Sequence, residues 1–345
     1  MTKMLSTAIV TGILFIAGSS ANATETRWNC TVAPASTYSQ QTLIQIPLAG
    51  TWIGNYVAVT NETGTRTLPG LFGGSGNNAI PFSSTVKPKV TITNTHPTGA
   101  FQFGFNPATG IVDVTNLLVD TLAGQTGTIS TSMLLTYSSF HTVQPTSTFI
   151  GLTNVDIPVD SGSLTAATAT QSGPAIGAAT PNTDGTWAFA VTVPVTVSVT
   201  GTALAQPFTN SAPAAMALTG TFTIVGNTIS LTSQGSINET VPVPAPPPLV
   251  SAPFDLPTIF PSGQVAHLLI SGTFSDGTSA TVGTSSLVMN GIPAPIVGDI
   301  NGNGVVDGAD LGLLLSGWSQ PGATDLNNDG TTNGADLGLL LSHWG

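Results

Sequence analysis

Two twelve-residue segments near the C-terminus combine residue types and spacing that could do chemistry. The first runs Asp299-Ile300-Asn301-Gly302-Asn303-Gly304-Val305-Val306-Asp307-Gly308-Ala309-Asp310. The second runs Asp325-Leu326-Asn327-Asn328-Asp329-Gly330-Thr331-Thr332-Asn333-Gly334-Ala335-Asp336. Both place oxygen-bearing side chains at positions 1, 3, 5, 9 and 12, and both place Gly at position 6, where the chain must turn sharply. Ca2+ is a hard cation that takes about six to eight oxygens. Such a loop supplies them from side chains at positions 1, 3 and 5, a main-chain carbonyl at 7, a water or side chain at 9 and a closing carboxylate at 12. The carboxylates within each loop would repel one another without a cation, so metal binding and folding are expected to be linked.

An Asx- and Gly-rich loop taken alone reads as a plain turn. Here each loop runs into the same apolar stretch: GADLGLLLSGW over Gly308–Trp318 returns as GADLGLLLSHW over Gly334–Trp344, with only Gly317 and His343 differing. Leu311, Leu314, Leu315 and Trp318 fall at i, i+3, i+4 and i+7, as do Leu337, Leu340, Leu341 and Trp344. That spacing predicts two short helices packed face to face. Two complete loops with matched helices in one register point to two Ca2+ ions.

On these residues the segment 299–345 resembles a type I dockerin, a family in which two loop-helix halves without the entering helix of an EF-hand bind two calcium ions. The resemblance implies ligands at Asp299, Asn301, Asn303, Asp307 and Asp310 with the Val305 carbonyl. In the second loop it implies Asp325, Asn327, Asp329, Asn333 and Asp336 with the Thr331 carbonyl. It further implies docking onto a cohesin-like or other surface protein, through the region of Gly308, Ala309, Leu311, Gly334, Ala335 and Leu337. Two departures matter. Cellulosomal dockerins usually carry hydroxyl residues at loop positions 10 and 11, where this chain has Gly308-Ala309 and Gly334-Ala335. Position 8, usually aliphatic, is Val306 in one loop and Thr332 in the other. Calcium binding survives these changes better than cohesin recognition does. The rest of the chain is not assigned to a family.

The elements that precede the loops read as β-structure. From Thr24 to about Asn290 the pattern has period two, most clearly in Trp187, Phe189, Val191, Val193, Val195, Val197 and Val199, which alternate with small or polar residues. A helix would scatter these around its circumference, whereas a strand puts them on one side. Pro194 on the other side suggests a sheet edge or a bulge. Met216, Leu218, Gly220, Phe222 and Ile224 repeat the alternation, and Val225-Gly226-Asn227-Thr228 reads as a hairpin turn. Asp184-Gly185 and Asp276-Gly277 are further turn signals. Leu48-Ala49-Gly50-Thr51-Trp52, Leu218-Thr219-Gly220-Thr221-Phe222 and Ile270-Ser271-Gly272-Thr273-Phe274 echo one another weakly.

The expected organisation is a signal peptide over 1–23, a β-sandwich-like region over 24–240, and a Pro-rich linker or edge crossing over 241–248. Further strands follow over 249–290, then a linker over 291–298 and the dockerin-like module over 299–345. The sandwich-like region forms one domain or two. Lys3, the apolar run Met4–Ala17 and Ala21-Asn22-Ala23 give the leader its positive end, apolar core and cleavage site. That run is short for a membrane span, so export of a chain beginning at Thr24 is expected.

Composition agrees with a secreted β-protein: only 6% of residues are charged, against roughly a quarter in ordinary globular chains. With 16 acidic residues against 5 Lys plus Arg, no basic stripe exists for a phosphate backbone or an anionic membrane, so nucleic acid is excluded as a partner. The single Cys30 makes no internal disulfide and reads as a small buried residue, or else as an intermolecular crosslink. Hydrolase, zinc and phosphate-loop motifs do not occur, and His96, His141, His267 and His343 are scattered. Asp156 and Asp160 could share a strand face, which reads more simply as a solvated surface than as a glycosidase pair. Trp52, Tyr56, Phe140 and Trp187 could stack on sugars.

The leading expectation is a mainly β, non-catalytic extracellular or envelope protein held to a partner by a small helical module with two Ca2+ ions. The alternative is a polysaccharide-binding or polysaccharide-degrading protein carrying a dockerin. A third reading makes the module a calcium-stabilised cap without a partner.

Overall fold

A computed structural model describes residues 26–345 apart from Gly73, Leu204 and Ala205. The expected signal peptide and its cleavage site lie outside the described residues. The described residues begin with β1 (Thr26–Val32), the long β2 (Thr37–Gly54), β3 (Arg66–Pro69), β4 (Ile80–Thr95), β5 (Thr98–Asn106) and β6 (Ile111–Asp120). It continues through β7 (Gly127–Tyr137), β8 (Phe140–Val143), β9 (Ser147–Phe149), β10 (Leu152–Gln171), β11 (Ala175–Pro181) and β12 (Trp187–Ala203). β13 (Gln206–Val225), β14 (Thr228–Val243), β15 (Leu249–Pro257), β16 (Val265–Phe274) and β17 (Gly277–Pro293) complete the strands, and α1 (Gly308–Ser316) and α2 (Gly334–Ser342) follow.

The mainly β class holds, but the layering differs from a stacked sandwich. Most strands join one 14-stranded antiparallel sheet in the order β11-β12-β13-β14-β17-β1-β5-β6-β10-β7-β4-β2-β16-β15. Additional pairings of β11 with β6, β12 with β10 and β17 with β2 roll this sheet back on itself. Long strands make this possible by changing neighbours along their length. β17 pairs with β2 over Thr278–Ser286 and with β1 over Met289–Pro293. A separate 3-stranded sheet joins β3, β8 and β9.

Apolar side chains gather on the inner side of each roll. One core holds Trp28, Cys30, Phe101, Phe103, Phe105, Phe189 and Phe222, with Phe103 set edge-on to Phe222 at 5.4 Å. A second core holds Trp52, Phe82, Tyr137, Phe140 and Phe149, where Trp52 stacks on Phe82 at 5.0 Å. Each such aromatic, taken out of water, contributes about 2 kcal/mol. Ile92, Leu122, Ile129 and Leu164 form a third, smaller cluster.

The alternating run from Trp187 lies in β12, whose Phe189, Val191, Val193 and Val195 are buried. Pro194 stands neither at an edge nor in a bulge. On one side β12 pairs continuously with β13, and on the other its neighbour changes from β10, which reaches Val195, to β11, which begins at Ala190. Pro194 occupies that changeover, where no ladder needs its missing N–H. Val225 and Thr228 close the hairpin, with Gly226 at φ 59°. Two of the echoing segments are neighbours: Gly50 faces Gly272 in the β2–β16 ladder, and a Cβ on Gly50 would collide with the Ser271 carbonyl.

Of the Pro-rich run, Val241–Val243 are the last residues of β14, still paired with β17, and the chain then crosses to β15. β17 continues through Gly291, Ile292 and Pro293, so the strand reaches into the segment expected to be linker. Among the described residues no helix is long and apolar enough to cross a membrane.

Candidate metal centre

Each loop turns its own oxygens inward onto its own main chain, and the two loops do so in one register. In the first, Asp299 accepts from the N–H groups of Asn303 (3.0 Å) and Gly304 (2.8 Å) through its two carboxylate oxygens. Asn301 Oδ1 accepts from Asn303 N–H at 2.9 Å, and Asn303 Oδ1 from Val305 N–H at 2.9 Å. In the second, Asp325 accepts from Asp329 (3.1 Å) and Gly330 (2.8 Å), Asn327 from Asp329 (2.9 Å), and Asp329 from Thr331 (3.0 Å). Gly302 and Gly304 in the first loop, with Asn328 and Gly330 in the second, take positive φ and let the chain curl around these acceptors.

Positions 9 and 12 tie the loop to the helix. Asp307 caps α1 by accepting from Ala309 N–H at 2.8 Å, while Asp310 returns a bond from Asp307 N–H at 2.9 Å. Asn333 and Asp336 repeat the arrangement on α2 at 2.8 and 2.7 Å. Position 12 also reaches the loop entrance: Asp310 Oδ1 takes the N–H groups of Ile300 and Asn301, and Asp336 Oδ1 those of Leu326 and Asn327. One carboxylate therefore serves a helix cap and a loop closure, which is why no linker separates the two.

At Asp310, Asp329 and Asp336 these bonds favour the ionised form. The N–H of Asp307 first, then those of Asn301 and Ile300, hold the buried Asp310 below the ordinary carboxylate range against the opposing effect of burial. At Asp336 burial pushes upward, but the N–H groups of Asn333, Asn327 and Leu326 together outweigh it and the carboxyl is again lowered. The Asn327 side chain, Thr331 N–H and Asn333 side chain lower Asp329.

The loops differ at positions 5 and 9, where Asn303 and Asp307 answer to Asp329 and Asn333. Asn333 Nδ2 donates to the Thr331 carbonyl (2.9 Å) and to Asp329 Oδ2 (3.2 Å), and Asn327 Nδ2 also reaches Asp329 Oδ2 (2.9 Å). The first loop has no carboxylate at position 5 to receive such donors, since Asn303 stands there. Among the described residues no three His, Cys, Asp or Glu side chains gather as a metal cluster. A cation in either loop would therefore rely on Asn and main-chain oxygens as well as carboxylates. That all-oxygen donor set suits a hard ion such as Ca2+ and offers nothing to a soft one.

Behind the loops, Val306, Leu314 and Leu340 are fully buried, with Ile300, Leu311, Leu326 and Leu337 packed against them. The expected four-residue stripe is thus corrected. Leu315 and Leu341 are each 52% exposed, and Trp318 (42%) and Trp344 (47%) lie beyond helices that end at Ser316 and Ser342. Nine-residue helices meet at one point, and the apolar position 2 of each loop supplies the contact that the helix ends do not. Ile300 and Leu326 were recognisable only as matching apolar residues in the two loops.

Position 8 pairs each loop with the segment that follows the other helix. Ser319 N–H donates to the Thr332 carbonyl at 2.9 Å and Thr332 N–H to the Gln320 carbonyl at 2.9 Å, so the segment after α1 pairs with the second loop. Gly345 N–H, at the equivalent place after α2, donates to the Val306 carbonyl at 3.2 Å. The Thr332 hydroxyl, buried where Val306 is buried, bonds Gln320 O (2.9 Å) and Thr324 Oγ1 (2.7 Å). Gly308, Ala309, Gly334 and Ala335 are exposed on the first helical turns, beside the half-buried Leu311 and Leu337.

Elsewhere the candidate chemistry stays apart. Trp52 and Phe140 are buried in the second core, Trp187 packs against the first, and Tyr56 lies beneath the Arg66 guanidinium at 5.2 Å. Asp156 forms an ion pair with Lys87 at 3.4 Å. His267 and Asp255 are 2.8 Å apart on the surface.

No family model matches this chain, and no curated protein matches it. Among solved structures, it is similar to the outer membrane protease OmpT of Escherichia coli at 8% identity and a TM-score of 0.21, covering 76% of this chain and 98% of that one. It is also similar to the InvG secretin domain β-barrel of the Salmonella SPI-1 injectisome at 10% identity and a TM-score of 0.17, covering 85% and 68%. Scores this low carry no argument about fold or activity.

Proposed function

We propose that this chain is a non-catalytic extracellular or cell-envelope protein whose β-rich body is attached to a partner through a C-terminal, dockerin-like module holding two Ca2+ ions. The observation that carries the reading is the register of the loops. Asp299 and Asp325, Asn301 and Asn327, Asp307 and Asn333, and Asp310 and Asp336 make the same bonds to equivalent main-chain groups. A turn needs one such bond, whereas a repeated set of inward oxygens suits repeated cation binding. When bound, the metal would neutralise the carboxylates and stabilise the loops. The ligands would be Asp299, Asn301, Asn303, Asp307, Asp310 and the Val305 carbonyl, with Asp325, Asn327, Asp329, Asn333, Asp336 and the Thr331 carbonyl in the second loop. The exposed first turns around Gly308-Ala309 and Gly334-Ala335 would face the partner.

The test is made on the whole mature chain. Titration calorimetry is expected to show two Ca2+ per chain. Immobilised protein passed over secreted and envelope fractions in Ca2+ is expected to release one specific protein when a chelator is added. Absence of calcium uptake sinks the reading, and calcium uptake with nothing released leaves a metal-stabilised cap without a docking role.

A further inference from the structure

β13 and β14 leave the Gly226-Asn227 turn as a hairpin and pair from Val225↔Thr228 to Gly220↔Ser233. Beyond that point they separate: β13 runs back to Gln206 against β12 alone, and β14 runs on to Val243 against β17 alone. Hydroxyls finish the ladder at the split. Ser233 Oγ donates to the Thr219 carbonyl at 2.9 Å, and Thr219 Oγ1 to the Gln234 carbonyl at 3.4 Å. Past it, Thr209–Ala215 and Ser236–Pro242 are exposed.

The hairpin fixes which main-chain groups face the opening. Val225 and Thr228 close a two-residue turn, so odd-numbered residues of β13 and even-numbered residues of β14 direct N–H and C=O toward each other. Pro207 and Pro213 in β13 and Pro242 in β14 all stand at such positions, where the ladders with β12 and β17 do not need their missing N–H. Free outward donors remain at Thr209, Ser211, Ala215 and Ala217 on one edge and at Ser236, Asn238 and Thr240 on the other.

Natural sheets refuse partners at open edges with charges and bulges. β10 and β15, also unpaired over part of their length, have both: Asp156, Asp160 and Asp255, and register shifts at Leu152/Val155, Pro158/Asp160 and Leu249/Ala252. The open stretches of β13 and β14 have no register shift, and Glu239 is their one charged residue. The prolines blunt β13 locally and leave β14 unblunted from Gln234 to Val241.

We propose that these two edges form a dimer interface with a second copy of this chain. Every strand pairing among the described residues is antiparallel, and β13 and β14 run antiparallel to each other. One strand inserted between them would lie parallel to one edge. A second copy turned about an axis parallel to the strands sets its β14 against β13 and its β13 against β14, both antiparallel, and extends the pairing the chain already makes at Gly220↔Ser233. This isologous contact closes both openings at once. The nearly uncharged edges also let two chains of net charge −11 meet there without stacking like charges.

Sedimentation of the mature chain in Ca2+ over a wide concentration range is expected to show a reversible monomer–dimer equilibrium. Ala217→Lys with Ser236→Lys places charge on both edges and is expected to weaken the dimer by at least about tenfold. Should that pair disturb folding, as read by near-UV circular dichroism, Ser236→Pro removes one outward donor alone and is expected to weaken the dimer with the spectrum unchanged. Asp255→Ala on the β15 edge is expected to leave it intact. A wild-type chain that stays monomeric throughout, or a dimer that withstands Ser236→Pro and yields to Asp255→Ala, overturns the proposal.

Discussion

Gly317 and Thr324 touch across the junction between the two halves of the C-terminal module, and that contact explains the one difference between the repeated helical stretches. A side chain at Gly317 would run into the Thr324 hydroxyl, which is already committed to Thr332 Oγ1 at 2.7 Å. His343, at the equivalent place after α2, is exposed. Gly317→His is therefore expected to destabilise the module by about 1–3 kcal/mol, the usual cost of overpacking. His343→Gly should be close to neutral. Thermal unfolding of the two variants checks this, and equal effects would remove the explanation.

Asp299→Ala takes away the acceptor of two main-chain N–H groups and the first proposed ligand of one loop. Calcium stoichiometry by calorimetry is expected to fall from two to one per chain, with the second loop retaining its affinity. Loss of both sites together would mean that the loops fold as one unit.

Gly308→Ser and Gly334→Ser are expected to change little in the free protein, since a Cβ at either place meets nothing within 4 Å. Unfolding free energies should stay within about 0.5 kcal/mol of the parent and calcium uptake should be unchanged. A change confined to partner capture would mark these turns as the docking face; a loss of calcium would place them in the metal site instead.

Cys30 is 1% exposed, and burial pushes its thiol up from 9.0 to about 12. It is expected to resist thiol reagents in the folded chain and to react only after denaturation, an outcome that would set aside the intermolecular crosslink. The linkage sign follows: above pH 9.0 the unfolded chain releases a proton that the folded chain keeps, so stability should fall as pH rises toward 12. Rapid labelling at neutral pH without denaturant would contradict this.

A Cβ at Gly291 would lie 2.6 Å from Cys30 Sγ and 2.7 Å from Ile229 Cγ2. Gly291→Ala is expected to cost about 1–3 kcal/mol. Part of that cost should be recovered in the Cys30→Ala background, a coupling that denaturant titration of the double-mutant cycle would measure.

Much of this was readable in the residues. The alternation from Trp187 names a strand because period two admits no other element, and Gly226-Asn227 names the turn after β13 because a two-residue hairpin needs positive φ. Asp299 to Asp310 and Asp325 to Asp336 name two oxygen-lined loops through spacing alone, and the matching bonds at positions 1, 3, 5, 9 and 12 follow from that spacing. Leu315, Leu341, Trp318 and Trp344 could not be placed the same way. Helical spacing says which residues share a face, but not how far a nine-residue helix extends along its neighbour.

The sequence by itself determined the local conformations: strands from alternation, turns from Gly and Asx, and helix caps from Asp307 and Asn333, because each depends on residues close along the chain. Tertiary structure alone decided the neighbours. It closed the sheet through β11 and β6, set Pro194 where β12 changes partners, paired Thr332 with Gln320, and left β13 and β14 apart beyond Gly220. Those outcomes depend on which distant strands share a core, and strands of such uniform Thr, Ser, Ala and Val composition leave their pairing order to the packing of Trp28, Trp52, Phe103 and Phe222.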